Sequence, residues 1–153
     1  MIKAGAGGNW HRLDEKFDAS IVKQTDLSCV SAVGEMLLKE RGIIVPQSEI
    51  RDIIGVPSYF EALARCLNKF DSAGDGKTWR SLITDERGLL ILHSAGNLGV
   101  ILQEPFSLGH AVYVSRKSQS DLFEVKDTFD QTSYLMTRAG FFTYWGGLVI
   151  TRR

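Results

Sequence analysis

Four residues of this chain have the types and the order that thiol-based acyl transfer needs. Cys29 stands at the start of an apolar stretch with helical spacing, which puts it in the first turn of a helix. A thiol there faces unpaired backbone N–H groups and the positive end of the helix dipole, and both favour the nucleophilic thiolate. His110 opens the run Gly109-His110-Ala111-Val112-Tyr113-Val114. A histidine at a strand start can point into a cleft while its neighbours hold the backbone. Asp127 follows 17 positions later, at the end of Phe123-Glu124-Val125-Lys126-Asp127. A hairpin would return it to His110, where its carboxylate would fix the imidazole tautomer and favour imidazolium. Asp130 is a second candidate for that role, and a turn aspartate is the competing reading of Asp127. Gln24, five residues ahead of Cys29, could donate its side-chain amide to a developing oxyanion together with the Cys29 backbone N–H.

Each of these residues also has an ordinary structural reading, Cys29 as a small buried apolar group and Gln24 as an exposed loop residue. The remaining reactive types carry less. His11 lies in a polar N-terminal stretch and reads as a surface group. His93 lies in an apolar segment and reads as a satisfied core histidine. Cys66 falls mid-helix in Ala64-Arg65-Cys66-Leu67 and reads as an inert thiol. Two cysteines are too few for a disulfide framework or a thiolate zinc site; one disulfide is open to them, but both read as helix positions, so free thiols are expected. No ligand spacing suits zinc, and Gly5, Gly7 and Gly8 lack the strand before and the Gly-Lys-Ser/Thr after that a phosphate loop requires. No metal or organic cofactor is expected.

The elements that must position these side chains divide the chain in two. Ser28 to Arg41 places Val30, Val33, Leu37 and Leu38 on one helical face, with Gly42 as a stop. A short helix is expected over 47–54. A third, over 58–70, starts from a Ser58/Glu61 capping box and carries the stripe Phe60, Leu63, Ala64, Leu67, Phe70. Beyond it the period changes. Strands are expected at 78–83, 98–102, 111–115, 122–126 and 148–151, with a helix capped by Thr84 and stopped by Gly96-Asn97 between the first two. Helices first and antiparallel strands second predict an α+β domain, a helical part packed on a sheet. The small-residue start predicts a flexible N-terminal lead-in over 1–20 and a catalytic domain over 21–153.

At 153 residues the chain has the length of one domain. Its 18 basic and 18 acidic residues cancel, which speaks against nucleic acid as a partner and gives no electrostatic reason to sit on anionic lipid. The longest apolar run, Leu89 to Leu92, is far shorter than the ~20 residues of a membrane span. No signal peptide is visible in Met1-Ile2-Lys3-Ala4-Gly5.

The order Gln, Cys at a helix start, His at a strand start and Asp at the next strand end resembles a papain-like cysteine peptidase. The similarity is greatest to bacterial double-glycine peptidases, which remove leaders from bacteriocins, and to papain-fold polymorphic toxin domains. It is carried by Gln24-Thr25-Asp26-Leu27-Ser28-Cys29-Val30-Ser31-Ala32, by Gly109 to Val114 and by Val125-Lys126-Asp127. The closing Gly140-Phe141-Phe142-Thr143-Tyr144-Trp145-Gly146-Gly147 resembles the aromatic and glycine segment before that family's last strand. Two positions depart from it: Ser28-Cys29-Val30 stands where many leader peptidases have Asp-Cys-Gly, and Thr128 stands where Pro often follows the aspartate.

The resemblance implies a papain-like fold and a Cys29–His110–Asp127 triad, with Gln24 in the oxyanion hole. It further implies a protein or peptide substrate cut after glycine or small residues. The toxin likeness implies delivery as a secreted effector domain, action in the cytoplasm of the receiving cell and a cognate immunity protein. A deamidase, transglutaminase or acyltransferase would use the same triad, and a non-catalytic binding module would keep only the shell.

Overall fold

A computed structural model describes residues 8–118 and 120–153. In chain order its elements are β1 (Leu13–Phe17), α1 (Cys29–Lys39), α2 (Gln47–Ile54), α3 (Phe60–Phe70), β2 (Trp79–Ile83), α4 (Glu86–Ala95), β3 (Leu98–Leu102), β4 (His110–Val114), β5 (Phe123–Asp127), β6 (Thr132–Met136), α5 (Arg138–Tyr144) and β7 (Trp145–Arg152). The strands form one sheet in the order β1-β6-β5-β4-β3-β7-β2, each neighbour antiparallel. Helices with an antiparallel sheet are the α+β architecture that the change of hydrophobic period predicts.

The alternation along the central strands divides the core in two. Ile101, Ala111, Tyr113, Leu148 and Ile150 join α1, α2 and α3 in one apolar cluster. Val100, Leu102, Val112, Val114, Phe123, Val125 and Val149 face the other way, against Leu89 of α4 and Phe141 of α5. Because successive strand residues point to opposite faces and both faces are covered, β3 and β4 carry no polar residue but His110 and are buried at all ten positions.

Helix α1 lies directly on this sheet, and Gly99 of β3 sits beneath it. A β-carbon added at Gly99 would fall 2.8 Å from Ile150 Cγ2 and 3.0 Å from Val33 Cγ1, both in packed core. Gly99→Ala is therefore expected to destabilise the fold by about 1–3 kcal/mol through overpacking, read as a lowered urea midpoint with unchanged slope.

Several sequence expectations need correction. The flexible lead-in over 1–20 does not describe residues 10–17: Trp10 is buried in the second core cluster and Leu13–Phe17 pairs with β6 as an edge strand. The domain boundary expected after residue 20 thus falls inside the fold, while residues 1–7 lie outside the described part. Four of the five residues of Leu13-Asp14-Glu15-Lys16-Phe17 are exposed, so the strand has no apolar face to signal it. Strand β6 was not expected either, because Thr132 and Ser133 are polar yet buried. Helix α5 occupies part of the aromatic and glycine segment. The Ser58/Glu61 capping box does not form: α3 begins after Tyr59 with no side-chain cap, and Ser58 Oγ donates to the Ile54 carbonyl at the end of α2. Helix α4 is capped by Asp85, one residue after Thr84; its carboxylate accepts from the Gly88 N–H.

Candidate active site

Cys29 is the first residue of α1, as its place at the head of the apolar periodicity requires. No side chain caps that helix. Ser28 Oγ accepts from Thr25 Oγ1 and donates to the Asp26 carbonyl instead. The first-turn N–H groups and the positive end of the dipole are thus left beside the sulfur. Cys29 Sγ also accepts from the Ala111 N–H at 3.4 Å, which ties the head of α1 to the start of β4.

The β4–β5 hairpin brings His110 and Asp127 together. Tyr113 lies opposite Lys126 and Val114 opposite Val125. Continued along the strands, that register sets Asp127 across from Val112, one diagonal step from His110 on the same face. The imidazole Nε2 is 2.7 Å from Asp127 Oδ1, and both residues are buried. Asp130 goes elsewhere: its carboxylate meets Arg12 at 3.3 Å and accepts from Thr132 Oγ1 at 2.6 Å. The other ring nitrogen of His110, Nδ1, is buried without a hydrogen-bond partner among the described residues. Burial by itself would lower the pKa of His110. The hydrogen bond to Asp127, then the neighbouring Cys29, outweigh it and raise the imidazole to about 9.

Asp127 is held on every side. Oδ1 also accepts from the Phe129 N–H at 3.0 Å, and Oδ2 accepts from the Tyr134 hydroxyl at 2.7 Å. Arg12 Nη2 lies 3.5 Å from Oδ2. Burial pushes this carboxyl up, but the His110 contact, Tyr134 and the Phe129 N–H prevail and hold it below the usual carboxylate range. Tyr134 is driven far up by burial and by the Asp127 charge, so its hydroxyl stays a donor.

Three residues here were missed by sequence reasoning: Trp10, Arg12 and Tyr134. Trp10 stacks on the His110 ring with centroids 5.8 Å apart and donates Nε1–H to Tyr134 Oη at 2.8 Å. The guanidinium of Arg12 lies over the Tyr134 ring, 4.4 Å from its centroid. The only local trace was an isolated Trp and Arg in an otherwise polar, small-residue stretch.

Gln24 is anchored to Thr128, the residue after Asp127. Its N–H donates to the Thr128 carbonyl at 2.8 Å, and its Oε1 accepts from Thr128 Oγ1 at 3.0 Å. The remaining reactive residues lie away from this group. His93 stacks on Phe123 and contacts the Ser115 carbonyl through Nε2 at 2.9 Å, with burial lowering its pKa. Cys66 is buried in α3, and burial raises its pKa. Both cysteines are free, and His11 is exposed. Among the described residues no group of three or more His, Cys, Asp or Glu side chains could hold a metal ion, and no helix is long and apolar enough to cross a membrane.

Among solved structures, the chain is similar to the peptidase domain of Streptococcus ComA, a bifunctional ABC transporter involved in quorum sensing. The TM-score is 0.68 at 19% identity, covering 86% of this chain and 95% of that one. The chain thus shares the papain-like fold of that peptidase domain. A second solved structure with the papain-like fold is a double-glycine-motif protease from an AMS/PCAT transporter, in complex with its leader peptide. There the TM-score is 0.68 at 15% identity, over 99% of this chain and 98% of that one. In sequence, the chain is 34% identical over 150 residues to cysteine protease effector 1 of Escherichia coli O1:K1:H7. That match takes in 96% of this chain and 29% of the relative, so the chain spans under a third of the relative's length. No family model matches.

Proposed function

We propose that this chain is a cysteine peptidase in which Cys29 is the nucleophile, His110 the general acid and base, Asp127 its orienting carboxylate and Gln24 an oxyanion donor. The observation that supports the reading is the buried pairing of His110 Nε2 with Asp127, which leaves Nδ1 without a partner among the described residues, in an imidazole that has the helix-terminal Cys29 as a neighbour. An imidazole held to about 9 is an imidazolium at neutral pH, able to stabilise a thiolate and then to give up a proton.

The steps balance without a cofactor. The Cys29 thiolate adds to the peptide carbonyl carbon, and the carbonyl electrons move to oxygen, where Gln24 Nε2–H and the Cys29 N–H stabilise the oxyanion. Collapse breaks the C–N bond, and the leaving amine takes the Nδ1 proton of His110. His110 then removes a proton from water, the resulting hydroxide attacks the thioester, and the carboxylic acid product leaves as the thiolate returns. The free thiols suit a reducing cytoplasm. Likeness to double-glycine peptidases favours glycine or another small residue before the cut bond. Likeness to an effector favours delivery into a recipient cell, and a cognate immunity protein that covers the cleft in the producer.

Mass spectrometry of peptides carrying Gly-Gly or Gly-Ala bonds and an internal glutamine separates the two amide chemistries. Cleavage should yield two fragments whose masses sum to the parent plus one water. An intact peptide heavier by about one dalton would instead identify a side-chain deamidase.

A further inference from the structure

Thr128 is the position where this chain departs from the Asp-Pro pattern, and it is wholly buried. Its carbonyl takes the Gln24 N–H and its hydroxyl donates to Gln24 Oε1. The neighbouring pair repeats the contact, since Lys23 Nζ donates to the Phe129 carbonyl at 2.5 Å. The segment 23–24 is thereby clasped to 128–129, a pairing of residues more than a hundred positions apart. We infer that Thr128 is a positioning residue that fixes the Gln24 amide for the oxyanion, so that the dipeptide Asp127-Thr128 sets both the histidine and the oxyanion donor. The inference rests on the reading of Gln24 given above.

The physical argument concerns the amide's orientation. A glutamine has three side-chain torsions and an amide that can turn over, presenting oxygen or nitrogen to the cleft. With Oε1 committed to the Thr128 hydroxyl, the two N–H donors are turned away from Thr128, and neither has a partner among the described residues. An amide oxygen that accepts a hydrogen bond also makes its own N–H groups stronger donors. The stiff β-branched side chain of threonine supplies the hydroxyl from a defined direction. A proline there has no hydroxyl and could not do this.

The test uses the whole chain, with an N-acylglycine p-nitrophenyl ester as the turnover probe and an N-acylglycinal, whose hemithioacetal carries the same oxyanion, as the affinity probe. Thr128→Val should lower kcat by about tenfold or more, with KM nearly unchanged, as a share of the ~10²–10³ that one oxyanion donor supplies. Binding of the aldehyde should weaken in proportion, while alkylation of Cys29 by iodoacetamide, which builds no oxyanion, keeps its rate. Thr128→Ser should recover most of the loss. In a Gln24→Ala background, Thr128→Val should have little further effect. The inference is overturned if Thr128→Val turns over like the parent, if serine fails to rescue it, or if the valine costs as much without Gln24 as with it. Should Gln24→Ala itself keep full kcat, the oxyanion reading of Gln24 fails and the inference with it; if Gln24→Ala is slow and Thr128→Val is not, the inference alone fails.

Discussion

Cys29→Ala should abolish both peptide cleavage and any growth arrest that the chain causes when expressed in bacteria, while leaving the fold in place. In the proposed mechanism the sulfur forms and breaks the only covalent bond between enzyme and substrate, so no neighbouring group can substitute for it. Loss of a nucleophile of this kind costs about 10⁵–10⁶ in kcat. The fold should tolerate the change. Cys29 is small, it sits at a helix end, and alanine keeps its β-carbon; what is lost is the 3.4 Å contact with the Ala111 N–H. That N–H then lacks its partner, a cost of about 1–3 kcal/mol, which circular dichroism and a denaturation curve would register. Equal arrest by parent and variant would sink the catalytic reading and leave a binding module.

The second large effect is at Asp127. Asp127→Asn preserves shape and an acceptor oxygen but removes the charge that keeps His110 protonated. Burial, which by itself lowers the imidazole, then prevails, and its pKa should fall from about 9 to below its ordinary value. Only the part of that fall below pH 7.5 costs a factor of ten per unit in the charged form, so activity at pH 7.5 should drop about tenfold or more. The alkaline limb of the pH–rate profile, near 9 in the parent, should move to the acid side of neutrality. Tyr134→Phe removes one of the donors to Asp127 Oδ2 and should shift the profile less. An alkaline limb that stays put in Asp127→Asn would remove the aspartate from the mechanism.

The same two groups contribute to the pH dependence of stability. His110 is raised above its unfolded value, so its contribution is complete below about pH 6.5 and is lost as pH climbs through about 9. Asp127 is lowered, so its contribution is complete above about pH 4 and is lost as acid protonates it. Their joint contribution to the thermal midpoint should therefore be largest between these limits and fall on both sides, read as the difference between parent and Asp127→Asn across pH. In Asp127→Asn both slopes should flatten.

The sequence alone determined the elements whose signals are local. Helix α1 is legible because Val30, Val33, Leu37 and Leu38 recur at helical spacing, and that periodicity sets Cys29 at its N-terminus. Strands β4 and β5 are legible because each is short, rich in β-branched or aromatic residues and bounded by turn residues. A hairpin of consecutive strands then leaves few registers, which is why His110 and Asp127 could be paired on paper. The tertiary structure alone decided which carboxylate reaches the ring, because the choice between Asp127 and Asp130 depends on strand register and on Arg12 claiming Asp130. It also decided the surroundings of the site: Trp10 against His110 and Tyr134, and Thr128 against Gln24, partners more than 90 positions apart. A periodic pattern records only which face of an element is buried. It carries no trace of a single long-range contact, and a polar edge strand such as β1, with little apolar surface to bury, leaves no pattern at all.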